Sequence, residues 1–181
     1  MNCGFAMQRP VATITVSDTR TLADDTSGVR LGADLRAAGF SVLPHVIVGD
    51  EKAAVRAAIE KAIADGAKAV ILTGGTGIAP RDITYEVVES LFDKRLDGFG
   101  EAFRRLSWDE IGPRAILSRA TAGVVGGAVV FALPGSTKAV ELGMARVVLP
   151  VIAHAMDLVS GKTGHGHVHG NAHGHGQDGE K

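Results

Sequence analysis

Val70-Ile71-Leu72-Thr73-Gly74-Gly75-Thr76-Gly77, followed by Arg81-Asp82 and Thr84-Tyr85-Glu86, decides how the rest of the chain is read. A short apolar run closed by glycines predicts a buried strand, and the residues from Tyr85 predict a helix with Thr84 as its cap. Between them lies a loop of glycines and threonines. Glycines let backbone N–H groups face outward in conformations other residues avoid, and a following helix N-terminus adds positive potential, so an anion, phosphate above all, is the natural guest. The loop is not a Walker A loop, because no Gly-Lys-Ser/Thr follows, and Gly75-x-Gly77 lacks the third glycine of a dinucleotide fingerprint. A plain tight turn is the alternative reading.

Working toward the N-terminus, Glu51–Asp65 is an alanine-rich helix with Val55, Ile59 and Ile63 at four-residue spacing. Gly49-Asp50 is a turn, and Ser41–Val48 is a strand. A helix through Ala38 carries Gly28, Leu31, Leu35 and Ala38 on one face, capped by Ser27 or Asp25. Val11–Ser17 is the first strand. Strands joined by crossover helices imply a mainly parallel sheet, whose ligands bind beyond the strands' carboxyl ends near a switch in strand order. Ser17-Asp18, Asp50 and Thr73–Asp82 all follow strand ends, and their convergence is the evidence for a site.

Toward the C-terminus, Tyr85–Leu91 and Gly98–Trp108 are helices, the second carrying Phe99, Phe103 and Leu106. Ala122–Phe131 is a hairpin of two β-rich runs joined by Gly126-Gly127, so the sheet is mixed. Its second arm runs into Pro134-Gly135-Ser136-Thr137 and another helix N-terminus, a second candidate anion cradle. Pro150 starts a last helix. From Gly161 onward, seven glycines and five histidines among 21 residues offer nothing to build a core, which predicts a disordered tail. Its histidines have the spacing to take up zinc, nickel or copper, but an uninvolved solubilising tail is the preferred reading.

The 181 residues, 45% hydrophobic and 22% charged, suit one well-filled domain. A formal charge of −1 gives no electrostatic case for nucleic acid or an anionic membrane surface, so any anion site must be local. The single cysteine, Cys3, supports neither a disulfide nor a cysteine-rich metal site. Met1–Pro10 has no signal-peptide pattern and no apolar run approaches membrane-spanning length, so the expectation is a soluble cytoplasmic protein without a membrane partner.

Several spaced motifs carry a family resemblance. Thr73–Gly77 with Arg81-Asp82, Gly98-Phe99-Gly100-Glu101, Leu117-Ser118-Arg119 and Leu133-Pro134-Gly135-Ser136, in this order, resemble the MogA/MoaB family of molybdenum-cofactor biosynthesis, related to the gephyrin G domain. Val16–Arg20 followed by Asp24–Gly28, with Ser107–Gly112, is more similar to the MoaB branch. The resemblance covers roughly Pro10 to Ser160. It implies residues 10–160 as one molybdopterin-binding domain between a flexible leader, 1–9, and the tail, 161–181. The implied fold is a three-layer α/β/α sandwich with a mostly parallel mixed sheet, assembled as a homo-trimer or hexamer and able to meet other proteins of the pathway.

In catalytically competent members the resemblance also implies adenylylation of molybdopterin with ATP and Mg2+, releasing pyrophosphate. A phosphate nucleophile is already ionised near neutrality, so positioning and charge neutralisation are the task. By resemblance Asp50 and Asp82 are the catalytic and metal-binding carboxylates. Thr73, Gly74, Gly75, Thr76 and Gly77, with Pro134, Gly135 and Ser136, would hold phosphate and pterin, and Ser17, Asp18, Ser27 and Ser118 would line the cleft. Some MoaB proteins depart from the acidic pattern at the position of Asp50 and do not adenylylate; this sequence keeps both acids. The alternative is a non-catalytic molybdopterin-binding or assembly protein. Duller readings exist too: Asp50 as a helix N-cap, Asp82 as a loop former, Asp25 as a cap, and His45 and His154 as structural histidines.

Overall fold

The computed structural model describes residues 9–161, so most of the leader and tail lies outside the described residues. The strand expected first is β1 (Pro10–Val16), and α1 (Thr26–Ala37) follows it. The strand expected over Ser41–Val48 is two short pieces, β2 (Ser41–Val42) and β3 (Val46–Val48), both parallel to β1. Pro44, which has no amide to donate to a ladder, stands in the break. Next come α2 (Lys52–Ala64), β4 (Ala69–Thr73), α3 (Thr84–Leu91), the short β5 (Lys94–Arg95) and α4 (Asp97–Ile111). A 3-10 segment, Gly112–Leu117, leads into the hairpin of β6 (Thr121–Val125) and β7 (Ala128–Leu133). Gly126 and Gly127 both take positive φ, 53° and 83°, as a two-residue hairpin turn requires.

The sheet runs β2-β1-β4-β7-β6-β5, with β3 also on β1. Every pairing is parallel except those of β6, which is antiparallel to β7 and β5. Central strands β4 and β7 are buried on both faces, which is why they read as unbroken apolar runs rather than alternating ones. Alternate residues serve two cores. Ile71, Phe131 and Leu133 meet Leu31, Leu35, Phe103, Met144 and Ile152 of α1, α4 and the C-terminal helix. Val70, Leu72 and Val130 meet Val55 and Ile59 of α2 and Val87 and Val88 of α3. The fold is the expected α/β/α sandwich.

The C-terminal helix corrects an expectation. Pro150 does not begin a separate helix: α5 (Thr137–Gly143), a π-helical segment (Met144–Val148) and α6 (Leu149–Val159) run on without a break. The π turn carries the backbone into a proline that would otherwise clash with the carbonyl four residues back. The run of 23 residues is long and apolar enough by composition alone to cross a membrane. Val140, Met144, Val148, Ile152 and Met156 are nonetheless buried against the sheet, as in a core helix.

Candidate functional site

The loops that leave the carboxyl ends of β1, β3, β4 and β7 meet on one edge of the sheet. Gly74, Gly75, Thr76, Gly77, Asp82, Ser118, Pro134 and Gly135, all expected from sequence, line a single cleft of about 320 Å³. Gly74 and Gly75 have φ of 101° and 64°, a region favouring glycine. A Cβ at Gly74 would strike the carbonyl of Val16, and one at Gly75 would strike the hydroxyl of Thr84. One at Gly135 would come within 3.2 Å of Gly74 Cα, so the two turns pack directly on one another. Thr73 helps: its hydroxyl donates to the Pro134 carbonyl at 2.9 Å. Ser27 does the same from α1, donating to the Gly135 carbonyl at 3.0 Å.

Thr84 is not the cap of α3. Ile83 holds that position without a side-chain cap bond, and Thr84 sits in the first turn with its amide donated to the Gly75 carbonyl at 2.9 Å. The Thr84 hydroxyl is fully buried beneath the glycine loop, with no partner among the described residues.

Asp50 is not a helix cap either, since Glu51 occupies the N-cap position of α2. The Asp50 amide donates to Asp18 Oδ1 at 2.9 Å, and Asp50 Oδ1 lies 3.5 Å from where a Gly75 Cβ would stand. Burial raises the Asp50 carboxyl above its ordinary value of 3.8, and the negative charges of Asp18 and Asp82 add to the rise, while Arg81 opposes it. Asp82 lines the glycine cleft and Asp50 stands beside Gly75, with Asp18 bonded to the Asp50 amide behind it, an acidic rim at the cleft's edge. Asp82 also orders its loop: Oδ2 accepts from the Ala79 amide at 2.7 Å, leaving Oδ1 without a partner among the described residues.

Ser17 and Ser136 stand apart from the cleft lining. The Ser17 hydroxyl accepts from the amides of Thr19 and Arg20, both at 3.2 Å, as a turn former. Ser136 caps α5, accepting from the Ala139 amide at 3.3 Å.

Two groups do more than sequence reasoning gave them. Asp25 caps α1 through Gly28, as one reading had it, but is also 2% exposed and accepts from Thr15 at 2.5 Å and from His45 Nε2 at 2.9 Å. Burial raises its pKa, and the bonds from Thr15, Gly28 and His45 together outweigh that and hold it below 3.8. The other group is Arg119, bonded to the Gly77 carbonyl at 2.7 Å and the Asp82 carbonyl at 3.2 Å. Its only sequence signal was its place in Leu117-Ser118-Arg119.

Size does not select the site. A cavity of about 500 Å³ under the β2–β3 break is larger, but Leu43, Pro44, Ala58 and Ala62 make its walls apolar, and none of the motifs reaches it.

Residues 12–154 match the family described as a probable molybdopterin binding domain. The chain belongs to the molybdopterin-binding MoaB/MogA family. It is thereby assigned to molybdenum cofactor biosynthesis. Molybdenum cofactor biosynthesis protein B of Bacillus subtilis (strain 168) is 48% identical over 145 residues, 79% of this chain and 85% of that protein. A crystal structure of a molybdenum cofactor biosynthesis protein B aligns with TM-score 0.82 and 41% identity over 84% of this chain and 96% of that one. The tungsten cofactor synthesizing protein MoaB from Pyrococcus furiosus aligns with TM-score 0.78 and 38% identity, covering 84% and 98%. Membership accounts for the glycine loop, the hairpin and the second turn occurring in this order on one sheet.

Proposed function

We propose that this chain adenylylates molybdopterin: the terminal phosphate of molybdopterin attacks the α-phosphorus of ATP, the bond to the β-phosphate breaks, and pyrophosphate leaves. The observation that carries the proposal is the pairing of a glycine-lined cleft with Asp50 and Asp82 on its rim, Asp50 ionising against burial and against its acidic neighbours. Such a rim is unfavourable for its own sake and is relieved by a cation. Mg2+ fits this donor set, since it is held by one or two carboxylates together with substrate phosphates rather than by an all-protein cage. Asp50 and Asp82 would hold it, and it would neutralise charge on the phosphates. The protein's own part is to align two phosphates that need no general base.

The glycine amides would take phosphate oxygens, while Ser118 and the Pro134-Gly135 turn would face the pterin end. A reaction that consumes ATP belongs in the cytoplasm. The large apolar side chains Trp108, Ile111, Ile116 and Leu117, each about half exposed or more, follow one another from the end of α4 into Leu117-Ser118 beside the cleft. They support assembly as a homo-trimer or hexamer, which light scattering measures directly.

The test is release of pyrophosphate and formation of adenylylated molybdopterin by the purified protein with molybdopterin, ATP and magnesium. Product is expected only when all three are present. Tight molybdopterin binding without product would instead establish the non-catalytic binding protein.

A further inference from the structure

We propose that Arg119 is a positioning residue that sets the peptide planes of the glycine loop, so that its amides face the anion and Asp82 keeps its place. The inference deepens the reading of this cleft as a phosphate site, and rests on it. The loop from Gly74 to Ile83 is pinned at its start by the Gly74 amide on the Leu133 carbonyl and the Thr84 amide on the Gly75 carbonyl. Beyond that it has little internal support, chiefly the Asp82 amide donating to the Ala79 carbonyl at 2.9 Å and the Ala79 amide donating to the Asp82 carboxylate at 2.7 Å. A glycine-rich segment left to itself would sample many conformations.

Arg119 supplies the missing constraint from outside, from the link between the 3-10 segment and β6. Its backbone amide donates to the Thr76 carbonyl at 3.0 Å, Nε to the Gly77 carbonyl at 2.7 Å and Nη2 to the Asp82 carbonyl at 3.2 Å. Its guanidinium pairs with Glu86 of α3 and lies 4.9 Å from the centre of the Tyr85 ring. The hydrogen bond from Arg119 holds the Glu86 carboxyl below its ordinary range. One side chain thus ties the start of the loop, its end and the following helix into one body.

No peptide bond in the described residues is cis. In a trans peptide the next residue's N–H points opposite the carbonyl. Turning the carbonyls of Thr76 and Gly77 onto Arg119 therefore turns the amides of Gly77 and Ile78 away from it. Those two amides, with those of Gly75 and Thr76, donate to no backbone or side-chain acceptor among the described residues. With four of its five side-chain N–H donors engaged by the Gly77 and Asp82 carbonyls and by Glu86, Arg119 acts as a clamp on the cradle rather than as a ligand of the phosphate. Lysine cannot replace it, because three bonds in divergent directions need the planar fork.

The variants are Arg119→Lys, which keeps the charge and loses the fork, and Arg119→Ala, which opens room for a free guanidinium ion. Inorganic pyrophosphate with magnesium is the probe, followed by amide chemical shifts in the full chain. In wild type the amides of Gly77 and Ile78 should shift. In Arg119→Lys the same shifts should require at least roughly tenfold more pyrophosphate, and turnover should fall roughly a hundredfold, because orientation is lost. Millimolar guanidinium should restore part of the turnover of Arg119→Ala, whereas methylammonium should not.

Wild-type amides that ignore pyrophosphate would overturn the proposal. So would Arg119→Lys with unchanged shifts and turnover within about threefold of wild type. Should Arg119→Ala not fold, Arg119→Lys decides alone. Should wild type show the amide shifts but form no adenylylated product, the adenylyltransferase reading fails and the shifts in Arg119→Lys still decide the role of Arg119.

Discussion

Two acids that follow strand ends on the same edge of the sheet have opposite fates. Asp25, at the end of the loop from β1, is enclosed by Thr15, His45 and the Gly28 amide and is held below its ordinary pKa by those bonds. Asp50, after β3, has a raised pKa and faces Asp18, Asp82 and the glycine loop. A carboxylate whose lone pairs are met inside the protein stabilises the fold. One left against burial and like charge is destabilising until something else arrives. The α1 side of the sheet is therefore scaffold, reaching the cleft through Ser27 on the Gly135 carbonyl and Arg104 on the Ser118 carbonyl. In the proposed reaction the chemistry falls to the α2 and α3 side.

The largest effect that would test this division is loss of the acidic rim. Asp50→Asn and Asp82→Asn should each lower magnesium-dependent adenylylation roughly a hundredfold, about 3 kcal/mol of transition-state stabilisation. Asp50→Asn should also melt at or slightly above the wild-type temperature. The sign follows from linkage: a raised folded pKa means that Asp50 favours folding only below its ordinary pKa, and that contribution is lost as pH rises through the folded value. At neutral pH the ionised carboxylate is a burden that the amide removes. Pyrophosphate release and melting curves on one preparation check both halves. A variant that melts far lower would make Asp50 structural after all.

Asp25→Ala should do the reverse. It leaves the Gly28 amide and the His45 and Thr15 groups without their acceptor, so unfolding free energy should drop by on the order of 2 kcal/mol. The turnover of the folded fraction should stay near wild type. Because the folded pKa of Asp25 is depressed, its contribution is full above its ordinary value of 3.8 and is lost as pH falls through the still lower folded value. Urea titrations at neutral pH and near pH 3.8 should show the wild-type advantage over Asp25→Ala narrowing in acid. An advantage that grows in acid would contradict the assignment.

The sheet was legible because its strongest signals are local: the unbroken apolar run of β4 between glycines, and Gly126-Gly127 between two β-rich runs. The cleft was legible for a related reason, since in a parallel sheet residues after successive strand ends must converge. What could not be read depends on partners distant in sequence. Whether Thr84 caps α3 turns on the Gly75 carbonyl taking its amide. Whether Ser41–Val48 is one strand turns on how each half meets β1 around Pro44. Pro150 reads as a helix start until the π segment before it is known. Arg119 has no spacing rule to mark it, because its targets are backbone carbonyls, which every residue has.

Ser136 gives the smallest and sharpest test, because it stands where scaffold and cleft touch. Pro134 and Gly135 line the cleft, but the next residue turns its hydroxyl back to the Ala139 amide at 3.3 Å and caps α5. If capping is its whole role, Ser136→Ala should cost about 1 kcal/mol of stability or less, and Ser136→Asn, an equally good cap, should restore it. Molybdopterin affinity should then stay within about threefold in both variants, since neither changes the backbone that forms the turn. Fluorescence titration with molybdopterin and chemical denaturation of the same samples separate the cases. A large loss of affinity in Ser136→Ala that Asn does not repair, with stability unchanged, would put the hydroxyl on the ligand and move the boundary of the working half of the molecule one residue into α5's cap.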